Sequence, residues 1–305
     1  MKKFILKSLS FASFFILFFV LINAIFFLII AVTDWDWKKR FESLRFDNPD
    51  FELLVLGSSL AQYDFDTEFL TSEGIKSYNF ALVGNTVRAS YIQLQEYLTR
   101  YSQKPDYVIF ACNSYLEILD GDKIQDVVKY TMKGNRYGIG DFPLLKFTNW
   151  FGGEVLKKIL SKKHRQTIVS YGQVKREKST PDFSSYEENY LDISVFQSSH
   201  WISEIVKLCN QEGIEIIIVE VPAITKAQNL SEIGPYTIGF ENGYTAKLIN
   251  LNSQDFCSFI DPAKDWVGDS HFNPGGALKF TKELLGVLRE EVIVQVNDTL
   301  ATSLE

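Results

Sequence analysis

Cysteine and histidine are scarce in this chain, and each shortage removes a class of chemistry. Cys112, Cys209 and Cys257 are the only three cysteines in 305 residues. They are far apart and odd in number, without zinc-type spacing or the density of a disulfide scaffold, so they read as buried, unpaired packing residues. An excess of positive charge is missing too: 31 Lys and Arg stand against 38 Asp and Glu, a formal net charge of −7. Affinity for phosphate backbones rests on an excess of basic residues, which argues against nucleic acid as a partner. With His164, His200 and His271 the only histidines, few residues can supply a catalytic imidazole. No internal repeat is evident.

Charge is absent altogether from Ser8 to Thr33, a run dominated by Phe, Leu and Ile. Such a run is long enough to span a bilayer as a helix. A cleaved signal peptide would have a shorter apolar region followed by a small-x-small site, and the Ile25 to Ile30 stretch has neither. The expected organisation is a cytoplasmic tail over 1–7, a transmembrane anchor over 8–33, a linker over 34–49, one α/β domain over 50–290 and a tail over 291–305. The lipid bilayer is thus the first expected partner. Lys2, Lys3 and Lys7 favour a cytoplasmic N-terminus and an extracytoplasmic domain, although Lys38, Lys39 and Arg40 on the far side weaken the asymmetry. Trp35 and Trp37 suit either the headgroup layer or a place beneath the domain.

Beyond the anchor, short apolar runs alternate with helical patterns. Phe51–Leu56, Lys76–Phe80, Pro105–Cys112 and Ile214–Val221 read as strands, with Phe256–Ile260 a weaker fifth. Val87, Tyr91, Leu94 and Leu98 recur at helical spacing after Gly84, as do Trp201, Ile202, Ile205, Val206, Leu208 and Cys209 before Gly213. Asn273 and Pro274 open a last helix as N-cap and first residue. Nearly continuous apolar strands alternating with helices predict an α/β fold whose parallel sheet is covered on both faces, a three-layer α/β/α sandwich. In such sheets, sites gather beyond the carboxyl ends of the strands. Residues 120–195 break the alternation and read as an insertion covering the site, with a helix expected around 149–160.

Three fragments fall at that end of the sheet: Gly57-Ser58-Ser59, Asn113, and Asp269-Ser270-His271. Each alone is compatible with an ordinary turn or a helix cap. Together they supply a hydroxyl, an imidazole to take its proton and a carboxylate to orient that imidazole.

These residues resemble the four marker blocks of the SGNH, or GDSL, hydrolase superfamily. Ser59 is similar to the nucleophile of the first block, Gly84 in Asn79-Phe-Ala-Leu-Val-Gly84-Asn85 to the second, Asn113 to the third and His271 to the fourth. The resemblance covers residues 50–290. It implies an ester hydrolase or O-acyltransferase with Ser59, His271 and Asp269 as a triad. The backbone N–H groups of Ser59 and Gly84 and the Asn113 side-chain amide would form the oxyanion hole, and no metal or dissociable cofactor is needed. Three departures stand out. Ser58 takes the place of the usual aspartate, Ala111 and Ser114 flank Asn113 where glycine and aspartate are usual, and Gly268 lies three before the histidine. The first is similar to membrane-anchored branches that move acyl groups onto cell-envelope polymers, such as those of teichoic-acid D-alanylation. Asp-x-His is similar to the alginate O-acetylation branch and favours Asp269 as the third member, with Asp265 the other candidate. The resemblance therefore implies a cell-envelope polysaccharide as acceptor and a separate acyl donor, with acetyl the expected group. The alternative is a non-catalytic envelope protein that keeps this fold to bind a glycan or an assembly partner.

His164 and His200 fall outside these blocks and read as surface or capping residues. Lys157, Lys158, Lys162, Lys163, Arg165, Lys175, Arg176 and Lys178 make the insertion locally basic. That patch is either a solvated face or a site for an anionic polymer or lipid headgroups.

Overall fold

The computed structural model of the chain describes residues 1–32, 46, 49–114, 168–175, 190–222, 231–261, 263–268 and 270–290. Helix α1 runs from Lys2 to Val32, and its segment Lys2–Ile25 is long and apolar enough to cross a membrane. At 1.5 Å per residue those 24 residues reach about 36 Å, more than a hydrocarbon core of about 30 Å. Phe4, Phe11, Phe14 and Leu17 on this helix are exposed, as lipid-facing side chains would be.

The domain begins with β1 (Leu53–Gly57), α2 (Ser59–Asp64), α3 (Thr67–Ser72), β2 (Ser77–Asn79), α4 (Val87–Arg100) and β3 (Tyr107–Cys112). A hairpin, β4 (Ile168–Ser170) and β5 (Gln173–Lys175), precedes α5 (Ile193–Gln197), α6 (His200–Glu212) and β6 (Glu215–Glu220). The chain then adds β7 (Tyr236–Gly239), β8 (Thr245–Asn250), α7 (Gln254–Cys257), β9 (Trp266–Val267), β10 (His271–Phe272) and α8 (Pro274–Leu288). Six strands form one sheet in the order β2-β1-β3-β6-β8-β7. All neighbours run parallel except β7, which joins the edge antiparallel to β8.

Apolar residues cover both faces of this sheet, which is why its central strands read as continuous apolar runs. Leu53, Val55, Ile109, Ile217 and Val219 lie in one cluster with Leu60, Phe65, Leu70, Phe280 and Leu284 from α2, α3 and α8. Leu54, Leu56, Val108, Phe110 and Ile218 lie in the other with Leu94, Tyr97, Ile202 and Val206 from α4 and α6. Each such side chain contributes about 1.5–3 kcal/mol through burial. Helix ends follow their caps. Thr86 Oγ1 accepts from Ala89 N–H, Ser199 Oγ from Ile202 N–H, and Asn273 Oδ1 from the N–H groups of Gly275 and Gly276. Gly213 ends α6 in the left-handed conformation.

Two expectations need correction. Residues 256–260 do not form the fifth strand: Ser253 caps this segment instead, its Oγ accepting from Phe256 N–H at 3.1 Å, and α7 results. The fifth parallel strand is β8, and the sheet is not wholly parallel because β7 closes its edge. Of the 120–195 insertion, residues 168–175 and 190–195 are described, whereas the helix expected around 149–160, Trp35, Trp37 and the 291–305 tail lie outside the described residues. The hairpin docks on the domain through its turn. Tyr171 O accepts from Asn79 N–H and Thr67 Oγ1, both at 2.9 Å, and Gln173 Nε2 donates to Tyr63 O at 3.1 Å. Lys175 pairs with Glu68 at 2.8 Å, so this member of the basic run is an anchor for the hairpin.

The turn from β1 into α2 has no room for a side chain. Gly57 has φ +144°, and a Cβ there would stand 2.3 Å from Ala111 O and 2.8 Å from Ala61 Cβ. Gly74 has φ +97° with open space around it. Gly57→Ala should therefore cost about 2–5 kcal/mol, strain plus overlap, and Gly74→Ala about 1 kcal/mol from strain alone. Denaturant unfolding of the two variants checks this ranking; equal costs would mean that the backbone at Ala111 yields freely.

Candidate functional site

The pivot at Gly57 puts Ser58 at the N-cap of α2 and Ser59 at its first helical residue, just beyond the carboxyl end of β1. Both serines are half-buried. Four residues on, Tyr63 shares the Ser59 face of the helix, because positions i and i+4 lie one above the other. The Tyr63 ring meets the His271 ring edge-on, with centroids 4.8 Å apart and planes at 64°. Helix α2 and strand β10 therefore carry the candidate hydroxyl and imidazole on packed elements, although the two residues are 212 positions apart (271 − 59).

Gly84 lies in the loop after β2 with φ +66° and is exposed. Its neighbours tie that loop to the serine turn. Leu82 N–H donates to Gly57 O at 3.2 Å and Val83 N–H to Gln62 Oε1 at 3.1 Å. Asn85 is buried, and its Nδ2 donates to Ser90 Oγ and Gln93 Oε1 at 3.1 and 2.8 Å. The Gly84 loop is thus lashed beside the serine turn.

Asn113 follows β3 directly and is fully buried, its Nδ2 donating to Val221 O at 2.8 Å. An amide nitrogen carries two hydrogens, and this bond engages one in joining the ends of β3 and β6. A second clasp beside it escaped the sequence reading. Glu220, fully buried at the end of β6, accepts the Ser114 N–H at 3.0 and 3.1 Å and the Ser114 hydroxyl at 3.0 Å. The only sequence signal was an acid closing an otherwise apolar strand.

His271 is half-buried in β10, which pairs antiparallel with β9, His271 opposite Val267 and Phe272 opposite Trp266. That register leaves Gly268 and Ser270 between the two strands. Asp269 lies outside the described residues. Asp265 is buried, and its Oδ2 accepts from Asp261 N–H and from Lys279 Nζ, both at 2.7 Å. Its carboxylate is committed to the loop before β9 and to helix α8.

A further buried carboxylate bonds the strand that carries His271. Asp64 ends α2, is fully buried, and accepts the Phe272 N–H on Oδ1 at 2.9 Å, while Oδ2 has no hydrogen-bond partner. Burial holds its carboxyl well above the usual carboxylate range, and the Phe272 N–H offsets this only in part. Nothing in the sequence marked it, because the group that buries and bonds it comes from 208 residues away.

The other nucleophile candidates recede. All three cysteines are buried and none is in a disulfide, and burial pushes the Cys257 thiol up to about 12 and the Cys209 thiol higher still, so neither supplies a thiolate. His200 opens α6 and meets the Trp201 ring edge-on, while His164 lies outside the described residues. Among the described residues no three His, Cys, Asp or Glu side chains converge as a metal site. No protein-family model matches the chain, and a search of curated proteins gives no match either.

The prior engagement of Asp265 ranks the two carboxylates proposed for the triad. Asp269→Asn should lower kcat on a small acetyl ester by about 10³-fold or more, since an amide neither fixes the imidazole tautomer nor stabilises its charge. Asp265→Asn should chiefly lower the melting temperature through loss of the Lys279 pair. The opposite ranking, with both variants folded by circular dichroism, would make Asp265 the orienting group.

Proposed function

We propose that this chain is a membrane-anchored serine esterase or O-acyltransferase of the SGNH type, an α/β/α sandwich that carries an acyl group, with acetyl the expected one, to or from a cell-envelope polysaccharide. The observation that supports the reading is the packing of α2, the helix that Ser59 opens, on β10, the strand that carries His271, beside a mostly parallel sheet. Sites in open α/β sheets form at that end. In this reading Ser59 Oγ attacks the ester carbonyl while His271 takes its proton and returns it to the departing alcohol oxygen. Asp269 orients the imidazole and balances its charge. Water or a sugar hydroxyl then attacks the acyl-serine, gives its proton to His271 and restores the Ser59 hydroxyl. The N–H groups of Ser59 and Gly84 would face the developing oxyanion, each worth on the order of 3 kcal/mol in the transition state.

One observation favours the second reading, a non-catalytic SGNH-fold protein that binds a glycan or an assembly partner. The Asn113 amide, expected at the oxyanion, is fully buried and already donates to Val221. Covalent labelling separates the two readings. A fluorophosphonate should label the parent and Ser58→Ala, and labelling should vanish in Ser59→Ala together with ester turnover. A parent that takes no label while folded would leave the binding reading standing, and an adduct mapped to Ser58 would move the nucleophile by one residue.

The envelope assignment also needs the domain to lie outside the cytoplasm. Alkaline phosphatase fused after Glu305 should be active, and a green fluorescent protein fused there and exported through the general secretory route should be dark. A dark phosphatase with a bright fluorescent fusion would place the domain inside and remove the envelope glycan as acceptor.

A further inference from the structure

A fully buried carboxyl group with one oxygen bonded and the other without a partner is costly, and Asp64 stands where α2 meets the strand carrying His271. Its Oδ1 accepts from the backbone N–H of the residue next to His271, while Tyr63, its neighbour, packs against the His271 ring. A second fastening accompanies this one. Thr281 of α8 takes the Asp66 N–H on its Oγ1 at 2.9 Å, and its hydroxyl donates to Ala277 O at 2.7 Å. The end of α2 is thereby pinned to both β10 and α8.

We propose that Asp64 is a positioning residue for His271: it sets the register of β10 against α2, and so the place of the imidazole relative to Ser59. The proposal rests on the serine–histidine reading of the site. The charged and titratable groups on the elements around Asp64 are otherwise engaged or distant. Among the described residues these are His271 on β10, Lys175 on β5, Asp66 and Glu68 beside α3, Tyr107 and Cys112 on β3, and Lys279, Lys282 and Glu283 on α8. Lys175 pairs with Glu68 and Lys279 with Asp265, while Lys282 lies over the Phe69 ring. None of these charges displaces the Asp64 carboxyl. Burial does, opposed by the Phe272 N–H. A helix C-terminus also disfavours a negative charge there.

The sign of the pH effect follows. In the unfolded chain Asp64 ionises near 3.8, whereas in the fold it keeps its proton to a much higher pH. Between those two values the folded state binds more protons, so its stability falls as pH rises through the window. Asparagine keeps the acceptor for Phe272 and cannot ionise, so Asp64→Asn should escape that loss.

The test uses the full-length protein in detergent, with the parent, Asp64→Asn and Asp64→Ala compared in three ways. Fluorophosphonate labelling of Ser59 should be on the order of 100-fold slower in Asp64→Ala, the size of loss expected for a misplaced catalytic group. It should return to the parental rate in Asp64→Asn, which keeps that rate as pH rises while the parent declines. The melting temperature of Asp64→Asn should exceed the parent's by a margin that widens as pH rises. The His271 ring resonances, assigned with His271→Gln, should move in Asp64→Ala and stay in Asp64→Asn. Parental labelling in Asp64→Ala, or unmoved His271 resonances there, would overturn the positioning role. An Asp64→Asn as slow as Asp64→Ala, or a melting margin that does not widen, would overturn the neutral form. If the parent takes no label, the ester chemistry fails, and the resonances and melting series still decide the role of Asp64.

Discussion

The close approach of β1 to β3 at Gly57 is the constraint from which the site geometry follows. With no Cβ at this position the Ala111 carbonyl can lie in the space a side chain would occupy, and the parallel ladder continues to the last residue of β1. The chain then turns at φ +144° and enters α2 at once, so Ser59 begins a helix rather than a loop. A helix starting there has its direction fixed by the sheet beneath it: Leu60 and Ala61 are buried against the core, and Tyr63 lies alongside β10. A bulkier pivot would tilt α2 and move Ser59, Tyr63 and Asp64 together, because the helix is only six residues long and rigid.

The end of the sheet is closed by side chains as well as by backbone. Asn113 reaches across to Val221, and Glu220 reaches back to Ser114, so β3 and β6 exchange clasps just past their last paired residues. In a buried setting each lost partner leaves an unsatisfied group costing about 1–3 kcal/mol. Such a crossing holds the third block rigidly and at the same time limits what its amide can offer a substrate. This is the physical ground on which a catalytic and a binding domain of the same shape would differ. Rigid donors aimed at an oxyanion accelerate acyl transfer, and donors facing inward only preserve the fold.

Strands β1, β3 and β6 were legible because both faces of a central parallel strand are buried and the residues are apolar without interruption. Helices α4, α6 and α8 were legible from their caps and their apolar stripe. Strand β8 was not, since Thr245 is exposed at its start and Lys247, in its middle, pairs with Glu215 at 2.7 Å, so polar residues interrupt the run. Segment 256–260 misled for the opposite reason: five mostly apolar residues fit a helix end or a strand equally well, and Ser253 decided the matter. In the site, Gly57, Ser59, Gly84, Asn113 and His271 stood out because short polar motifs at strand ends are visible in a linear sequence. Asp64 and Glu220 did not, because their importance comes from burial and from partners 208 and 106 residues away, which no local pattern carries.

On the proposed reading α1 is an anchor, and it constrains the site through distance. Phe46 is the first described residue of the domain, and its ring packs against Phe51 and Tyr78 at 4.8 Å while its N–H donates to Tyr101 Oη at 3.1 Å. Phe51 precedes β1 and Tyr101 follows α4, so the chain joins the domain near the amino ends of the strands, whereas Ser59 lies past the carboxyl end of β1. The five residues of β1 separate the two by about 17 Å. Fully extended at about 3.5 Å per residue, residues 33–45 keep Phe46 within about 50 Å of the end of α1. On the proposed reading, with α1 in a bilayer, the site reaches only as far from the membrane as that span and the depth of the domain allow. Phe46 and Ser59 lie at opposite ends of the strands, so on that reading the connection to α1 enters the domain away from the face around Ser59.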